Sequence, residues 1–234
     1  MAQLSPLAQA IKQQHLTYLS EQKLHHLEQC LKQIQQNQTP GDIIETGVAL
    51  GGSAILLARL MPPTAEFHGY DVFGMIPPPS PNDDPKSHQR YQIIAQGASP
   101  GLGGHRYYGY EPNLYQKVLD HFQAFGLHPN NPRLHLHRGY FEDTLTFRPD
   151  QTIALAHLDC DWYKSVKTCL TRIYPALSPG GYLILDDYYD YGGCRQATDE
   201  FLAQHSDLQV VISQENLVLQ KSPRASAKSQ PTIF

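Results

Sequence analysis

The sequence predicts an α/β fold with five parallel strands, helices on both faces of the sheet, and a closing antiparallel hairpin. From residue 41 onward, apolar runs of strand length alternate with segments of helical periodicity, which is typical of βαβ units. The clearest such unit spans residues 153–187. Near the end of the chain, the apolar runs 208–213 and 217–220 are joined by only three residues, so they must be antiparallel.

Two acidic pairs end the two strands of the central unit. Asp159 and Asp161 follow the first apolar run, and Asp186 and Asp187 end the second. Neighbouring parallel strands lie about 4.8 Å apart, so both pairs converge on the sheet edge where ligands of α/β folds bind. A single Asp at a strand end is usually a turn former. Four carboxylates at one point need a counter-cation, and a hard divalent metal is the usual one.

A strand, a glycine-rich turn and a helix open the main domain. The strand Asp42–Thr46 leads into residues 47–53, and a helix follows as far as Met61. Backbone N–H groups in such a turn can bind a ligand, but the Glu-x-Gly-x-x-x-Gly pattern fits the dinucleotide fingerprint poorly. Asp71 ends the next strand, about twenty residues later, where an acidic residue suits a ribose diol. A turn-forming role is the alternative for Asp71.

Three further segments surround these units. Residues 1–40 carry apolar side chains at helical spacing and are predicted to form a helical lead-in, which packs on the main domain (41–220) or on a partner chain. Residues 73–111, approximately, are rich in Pro, Gly and Tyr and are predicted to form a loop that serves as a lid over the carboxyl edge of the sheet. Residues 221–234 are predicted to form a flexible tail.

Composition excludes several classes of function. The net charge of −4 and the absence of Lys/Arg clusters argue against nucleic-acid binding. The four cysteines lack CxxC spacing, which favours reduced thiols, and no signal peptide or membrane-spanning run is present, so we expect a soluble cytoplasmic protein without a membrane partner. His135 and His137 alternate with leucines, a pattern that fits the polar face of a strand better than a ligand pair.

The strand count is the layout of a class I methyltransferase, with its Rossmann-like sheet, and differs from a dinucleotide dehydrogenase, whose second half would repeat the βαβ pattern. Within that layout, specific residues resemble the macrocin O-methyltransferase (TylF-type) family. The matching motifs are Glu45-x-Gly47, Asp71, Leu158-Asp159-Cys160-Asp161, and Ser178-Pro179-Gly180-Gly181-Tyr182-x-x-x-Asp186-Asp187-Tyr188. The resemblance covers residues 41–201.

The resemblance implies an enzyme that uses S-adenosylmethionine and a divalent metal such as Mg²⁺ to methylate sugar hydroxyls of natural products. It implies that the metal ligands are Asp159, Asp186 and Asp187 and that Asp161 is the general base. It also implies a set of cofactor-binding residues, which are Glu45, Thr46, Gly47, Gly51 and Ser53 at the methionine and ribose end, Asp71 at the ribose hydroxyls, and Gly139, Phe141 and Glu142 by the adenine.

Alternatives remain at this point. Lys164 is a rival base, because catechol-type O-methyltransferases use a lysine near their first metal-binding Asp, although its spacing from Asp159 favours Asp161. The acceptor could be a catechol in place of a sugar-bearing molecule. A binding module without catalysis, using the same metal-dependent edge for a sugar or nucleotide, is the third possibility. We expect a homo-oligomer, specifically a dimer.

Overall fold

One seven-stranded sheet organises the computed structural model, which describes residues 4–223. The strands are β1 (Asp42–Thr46), β2 (Phe67–Asp71), β3 (Leu134–Arg138), β4 (Ile153–Leu158), β5 (Leu177–Leu185), β6 (Leu208–Gln214) and β7 (Asn216–Lys221). Their order across the sheet is β3-β2-β1-β4-β5-β7-β6. Strands β1 to β5 are parallel, and β7 is antiparallel to both of its neighbours. The predicted parallel sheet and its closing hairpin are therefore confirmed.

Helices cover both faces of this sheet, as the sequence predicts. They are α1 (Pro6–Gln13), α2 (Glu21–Asn37), α3 (Gly52–Leu60), α4 (Pro85–Ala95), α5 (Leu114–Ala124), α6 (Phe141–Thr144), α7 (Tyr163–Ile173) and α8 (Gly192–Leu202). Buried residues of α1, α2, α3 and α5 form one core with one face of the sheet. Those of α7 and α8 form a second core on the other face. Successive side chains of a strand point to opposite faces of the sheet. Ile43 therefore packs in the first core and Ile44 in the second.

The N-terminal segment is two helices with a break at residues 14–20. Each helix begins at a serine N-cap, and the Ser20 hydroxyl accepts a hydrogen bond from the Lys23 backbone N–H at 3.1 Å. Leu24, Leu27 and Leu31 of α2 are buried in the core that includes β1 and α3. Of the two predicted alternatives, packing on the main domain is therefore what the structure shows.

The Pro- and Gly-rich segment contains a helix that the sequence did not predict. Helix α4 begins at the N-cap Asp84, whose carboxylate accepts from the Ser87 backbone N–H at 2.8 Å, and Pro85 occupies the first helical position. The prediction of a loop is therefore wrong for residues 85–95. The Pro- and Gly-rich composition of the segment hid the helix-capping signal at Asp84 and Pro85. The segment is anchored to the start of α7, where the Tyr163 backbone N–H donates to Asp83 at 2.7 Å. Its role as a lid stays a prediction.

Two short features lie beside the main strands. The Ser178-Pro179-Gly180-Gly181 run lies inside β5, whose register against β4 is irregular, and the short helix α6 follows β3. Residues 224–234 of the predicted tail lie outside the described residues. Within the part that the structure describes, none of the helices combines the length and the apolar character needed to cross a membrane.

Replacing a buried leucine of α2 tests whether this helix belongs to the folding unit. Leu27 is fully buried, so we expect Leu27→Ala to lower the free energy of unfolding by about 2–5 kcal/mol in urea denaturation. The matched control is Gln36→Ala on the exposed side of α2, with an expected change within about 0.5 kcal/mol. Equal stability of both variants would show that α2 lies outside the cooperative unit.

Candidate active site

Three carboxylates converge at the carboxyl edge of the sheet. Asp159 follows β4, and Asp186 and Asp187 follow β5, whose last residue pairs with the last residue of β4 in the parallel register. One oxygen of each carboxylate lies within 4.8 Å of the others. Asp186 and Asp187 are buried. The structure thus brings together the three residues that the sequence predicts as metal ligands.

Lys23 and His157 lie at ion-pair distance from this cluster. The Lys23 ammonium, carried by α2, donates to Asp186 Oδ2 at 2.9 Å and to Asp190 Oδ2 at 3.0 Å. His157, fully buried in β4, donates from Nδ1 to Glu45 Oε1 at 2.8 Å. Its Nε2 lies 3.5 Å from Asp186 Oδ1, which is ion-pair distance without a hydrogen bond. Asp186 is therefore the carboxylate that the protein's own cations neutralise.

The pKa of Asp186 shifts in the opposite direction from the pKa values of Asp159 and Asp187. Burial opposes ionisation of Asp186, but His157 and Lys23 hold its pKa below the ordinary value. Burial would lower the pKa of His157, but the charge of Asp186, together with the hydrogen bond and charge of Glu45, raises it to about 10. By contrast, burial and the neighbouring carboxylates raise the pKa of Asp159 and that of Asp187 well above the ordinary value. Lys23 and His157 therefore leave two carboxylates without compensating charge.

The cluster fits a hard divalent cation. Its donors are carboxylate oxygens, which Mg²⁺ and Ca²⁺ prefer. Asp186 Oδ1 is buried and has no hydrogen-bond partner among residues 4–223, which is costly unless something else satisfies it. A divalent cation would also offset the cost that burial and the neighbouring carboxylates place on ionising Asp159 and Asp187. These three residues could hold such an ion.

Asp161 is held beside the cluster by a strained turn. Its backbone has φ of +53°, a left-handed conformation that is uncommon outside glycine, and its N–H donates to Asp187 Oδ2 at 3.0 Å. Burial raises the pKa of Asp161 to about 7, with a further contribution from Asp186. A carboxyl group with that pKa exchanges protons readily at neutral pH.

Two adjoining cavities meet at Asp159 and Asp161. The larger cavity has a volume of about 400 Å³ and extends towards the loop that follows β3, including Gly139 and Phe141. The smaller one, of about 270 Å³, contains Asp186 and Asp187. It is also lined by tyrosines and by basic residues, namely Tyr18, Tyr107, Tyr108, Tyr191, Lys23, Lys86 and Arg90. The acidic cluster therefore faces the smaller cavity.

The predicted cofactor residues fall into two groups. Gly47, Asp71, Gly139, Phe141 and Glu142 line the larger cavity. The others are buried and do not line it, and they are Glu45, Thr46, Gly51 and Ser53. Gly47 is required by sterics as well as by conformation, because its φ is +97° and a Cβ there would lie 1.7 Å from the Asp159 carbonyl oxygen.

Asp71 has the turn-forming role that the sequence allowed as an alternative. Its Oδ2 accepts from the backbone N–H groups of Val48 at 2.8 Å and Ala49 at 3.0 Å, and its Oδ1 accepts from Phe73 at 2.6 Å. These bonds fasten the glycine-rich turn to the end of β2. Because Asp71 also lines both cavities, a ribose contact stays a prediction beside this structural role.

Lys164, the rival base, lies away from the acidic cluster. Its ammonium pairs with Glu142 Oε1 at 2.8 Å at the outer rim of the larger cavity, and its side chain is 71% exposed. The hydrogen bond to Glu142 raises the pKa of Lys164, so the amine holds its proton at neutral pH. This geometry favours Asp161 over Lys164 as the proton acceptor.

Sequence reasoning missed two residues of the site, Lys23 and His157. Lys23 stands four positions before Leu27 on the apolar stripe of α2. A lysine on an apolar stripe is a signal that could have indicated a buried, oppositely charged partner. His157 interrupts an otherwise apolar buried strand directly before the acidic residues. Neither signal identifies the partner, since Lys23 and Asp186 are 163 positions apart.

Comparison with known protein families gives an extensive match. Residues 7–214 match the family described as Macrocin-O-methyltransferase (TylF). The chain is 28% identical over 214 residues to a demethyldecarbamoylnovobiocin O-methyltransferase from Streptomyces niveus, covering 88% of this chain and 76% of that protein. It is 29% identical over 198 residues to the 8-demethyl-8-(2,3-dimethoxy-alpha-L-rhamnosyl)-tetracenomycin-C 4'-O-methyltransferase of Streptomyces olivaceus, covering 81% of this chain and 68% of that protein.

Solved structures agree with this match. The O-methyltransferase NovP superposes with a TM-score of 0.71 at 26% identity, covering 88% of this chain and 82% of the other. The calicheamicin methyltransferase CalS11 superposes with a TM-score of 0.61 at 19% identity, covering 94% of both chains, which bears on the fold alone. The predicted class I methyltransferase fold and family resemblance are therefore confirmed.

Removing the Lys23 ammonium tests its role as the counter-ion of Asp186. We expect Lys23→Met to lower the free energy of unfolding by roughly 3 kcal/mol, because Asp186 loses its hydrogen-bonded cation while remaining buried. Lys32→Met, at an exposed position of the same helix, is the matched control for charge removal. Urea denaturation of both variants measures the difference. A Lys23→Met variant as stable as the control would rule out the ion pair as a structural anchor.

Proposed function

Because the chain belongs to the macrocin O-methyltransferase (TylF) family, we propose that it transfers the methyl group of S-adenosylmethionine to a hydroxyl of a sugar-bearing small molecule, with a divalent metal at the acidic cluster. One observation carries the proposal. Two cavities meet at Asp159 and Asp161, and the acidic cluster faces the smaller one. A methyl donor in one cavity and an acceptor in the other would meet beside the carboxylates.

The larger cavity suits the methyl donor. Its volume of about 400 Å³ lies in the range of cofactor pockets, and Phe141 offers an apolar surface for a purine. Gly47, which lines this cavity, lets the turn after β1 pass close to the Asp159 carbonyl, because a Cβ there would collide with that oxygen. Glu45, behind this turn, keeps one buried carboxylate oxygen without a partner, which a donor's ammonium group or an ordered water could satisfy.

The smaller cavity suits a polyhydroxylated acceptor. Tyrosine rings can pack on the faces of a sugar ring, and Arg90 and Lys86 can donate hydrogen bonds to its oxygens. The name of the Streptomyces olivaceus relative specifies a rhamnosyl group in its substrate, which supports a sugar-bearing acceptor here. A catechol acceptor is the second candidate, because vicinal hydroxyls are common to both. Membership of an enzyme family argues against a binding module without catalysis.

When bound, a divalent cation would supply charge that lowers the pKa of a coordinated hydroxyl. Asp159, Asp186 and Asp187 would hold it, while Lys23 and His157 keep Asp186 ionised and oriented. Asp161 stands next to these ligands, its backbone tied to Asp187, and its carboxylate would accept the proton of the acceptor hydroxyl. The lid segment, through Tyr107 and Tyr108, would exclude water from the smaller cavity. The homodimer stays part of this proposal.

Methyl transfer from isotopically labelled S-adenosylmethionine tests the proposed function. We expect label to enter glycosides in preference to simple catechols, and the activity to disappear with a chelator and return with Mg²⁺. Calorimetry with adenosylhomocysteine, before and after chelation, is the control that separates cofactor binding from metal loss. Full activity in the presence of chelator would exclude the metal, and absence of adenosylhomocysteine binding would exclude the donor.

Asparagine variants separate the base from the metal ligands. Asp161→Asn should lower kcat by roughly 10²–10⁴-fold, without rescue by added Mg²⁺ and with partial recovery at high pH, where the hydroxyl ionises unaided. Asp159→Asn should respond to excess Mg²⁺. It is cleaner than Asp186→Asn, because Asp186 also binds Lys23.

The pH profile gives an independent check on Asp161. Only the carboxylate form accepts a proton, so wild-type kcat should fall as the pH drops through the pKa of Asp161, which is about 7 without metal and lower with a cation beside it. This acid limb should be absent from Asp161→Asn.

If Asp161→Asn and Asp159→Asn respond to added Mg²⁺ alike, Asp161 is a fourth metal ligand.

A further inference from the structure

A second group of metal-type ligands lies at the opposite end of the sheet. Glu66 directly precedes β2, His68 is the second residue of β2, and His135 is its partner in the parallel register of β3. Asp42, the first residue of β1, adjoins them, because its Oδ1 accepts from the Glu66 backbone N–H at 3.0 Å. This group sits at the amino ends of the strands, whereas the acidic cluster sits at their carboxyl ends.

The donor atoms have the spacing of a tetrahedral metal site. His135 Nε2 lies 3.0 Å from Glu66 Oε2, and His68 Nε2 lies 3.6 Å from the same oxygen. His68 Nε2 is also 3.6 Å from Asp42 Oδ2. One donor atom of each of Glu66, His68 and His135 lies within 4.8 Å of the others. In a tetrahedral zinc site with ligands at 2.0–2.1 Å, neighbouring donors are about 3.3 Å apart.

His68 provides the independent observation that points to a ligand. The residue is only 6% exposed, and its Nε2 is buried without a hydrogen-bond partner in the described part of the chain. This atom faces the carboxylates of Asp42 and Glu66 at a distance too long for a hydrogen bond. Leaving a buried nitrogen unpaired is costly, so this arrangement favours an occupant between the groups.

Neighbouring side chains hold the ligands in orientation. His68 Nδ1 lies 3.1 Å from His137 Nε2, and His137 in turn stacks on Tyr70 with ring centroids 4.3 Å apart. If His68 donates from Nδ1, its Nε2 is the unprotonated atom that can bind a metal. The Gln151 amide donates to Asp42 Oδ2 at 2.8 Å and fixes that carboxylate. Such outer hydrogen bonds are typical of metal-binding histidines and carboxylates.

We propose that Glu66, His68 and His135 bind a divalent transition-metal ion, with Zn²⁺ as the ion whose chemistry fits best and Asp42 or water at the fourth position. Two imidazole nitrogens and a carboxylate suit zinc, whereas the all-oxygen cluster at the other edge suits Mg²⁺. The ion joins strand β3, at the edge of the sheet, to β2 and β1. Because the ion lies at the opposite end of the strands from the acidic cluster, its role is structural, and it holds the edge strand β3 to the sheet.

A Co²⁺ titration of the full chain tests this site. With the chain first stripped by chelator and Mg²⁺ then present in excess, we expect one equivalent of Co²⁺ to give visible absorption of tetrahedral type, which Zn²⁺ abolishes by displacement. Saturating Zn²⁺ should also raise Tm by several degrees. Glu66→Gln and His135→Gln should weaken Co²⁺ binding at least about tenfold. Both side chains are partly exposed, so these variants retain the fold.

Two further variants identify where the ion binds. His128→Gln removes an exposed histidine outside the group, and Asp187→Asn disables the acidic cluster. Co²⁺ absorption should be unchanged in both. Absorption that is lost in Asp187→Asn but kept in Glu66→Gln would place the ion at the acidic cluster and overturn the proposal. Absence of Co²⁺ absorption in the wild type would also overturn the proposal.

Discussion

The excess of buried negative charge at the carboxyl edge of the sheet is the constraint on which the site depends. Asp159, Asp186 and Asp187 converge there, and within the described residues Lys23 and His157 both pair with Asp186. Placing Lys23 at this edge requires α2 to pack against the sheet. The N-terminal helices are therefore part of the functional architecture as well as of the core. The remaining charge creates the demand for a divalent ion.

Two cavities adjoin at the same edge of the sheet, and several residues line both of them. Asp159 and Asp161 line each of them, as do Gly47, Asp71 and Tyr108. Asp71 bonds the glycine-rich turn to β2, and Asp161 is fixed to Asp187 through its backbone. Backbone hydrogen bonds thus fix groups that would position the methyl donor and the acceptor. Such rigidity is what a reaction controlled by orientation needs.

The sequence predicted the elements whose signals are local. The unit from β4 to β5 was predictable because apolar runs, helical spacing and acidic ends coincide within about thirty residues. Helix α4 was missed because proline and glycine dominate its surroundings, although Asp84 and Pro85 mark its start. Lys23 was missed because its partner lies 163 positions away, and no periodicity shows such a pairing. For Asp71 the sequence left a turn-forming role open as an alternative. The structure shows that role through three backbone N–H groups that donate to its carboxylate.

The separation between Lys23 and Asp186 also has a consequence for biosynthesis. Lys23 leaves the ribosome well before Asp159, Asp186 and Asp187, because 163 positions separate it from Asp186. While the intervening residues are being made, α2 lacks the carboxylate that the Lys23 ammonium requires. The charged centre forms through contacts of long sequence separation, which form slowly. The acidic cluster exists only once the residues that follow β5 have been made, so the growing chain cannot bind a metal ion there before that point.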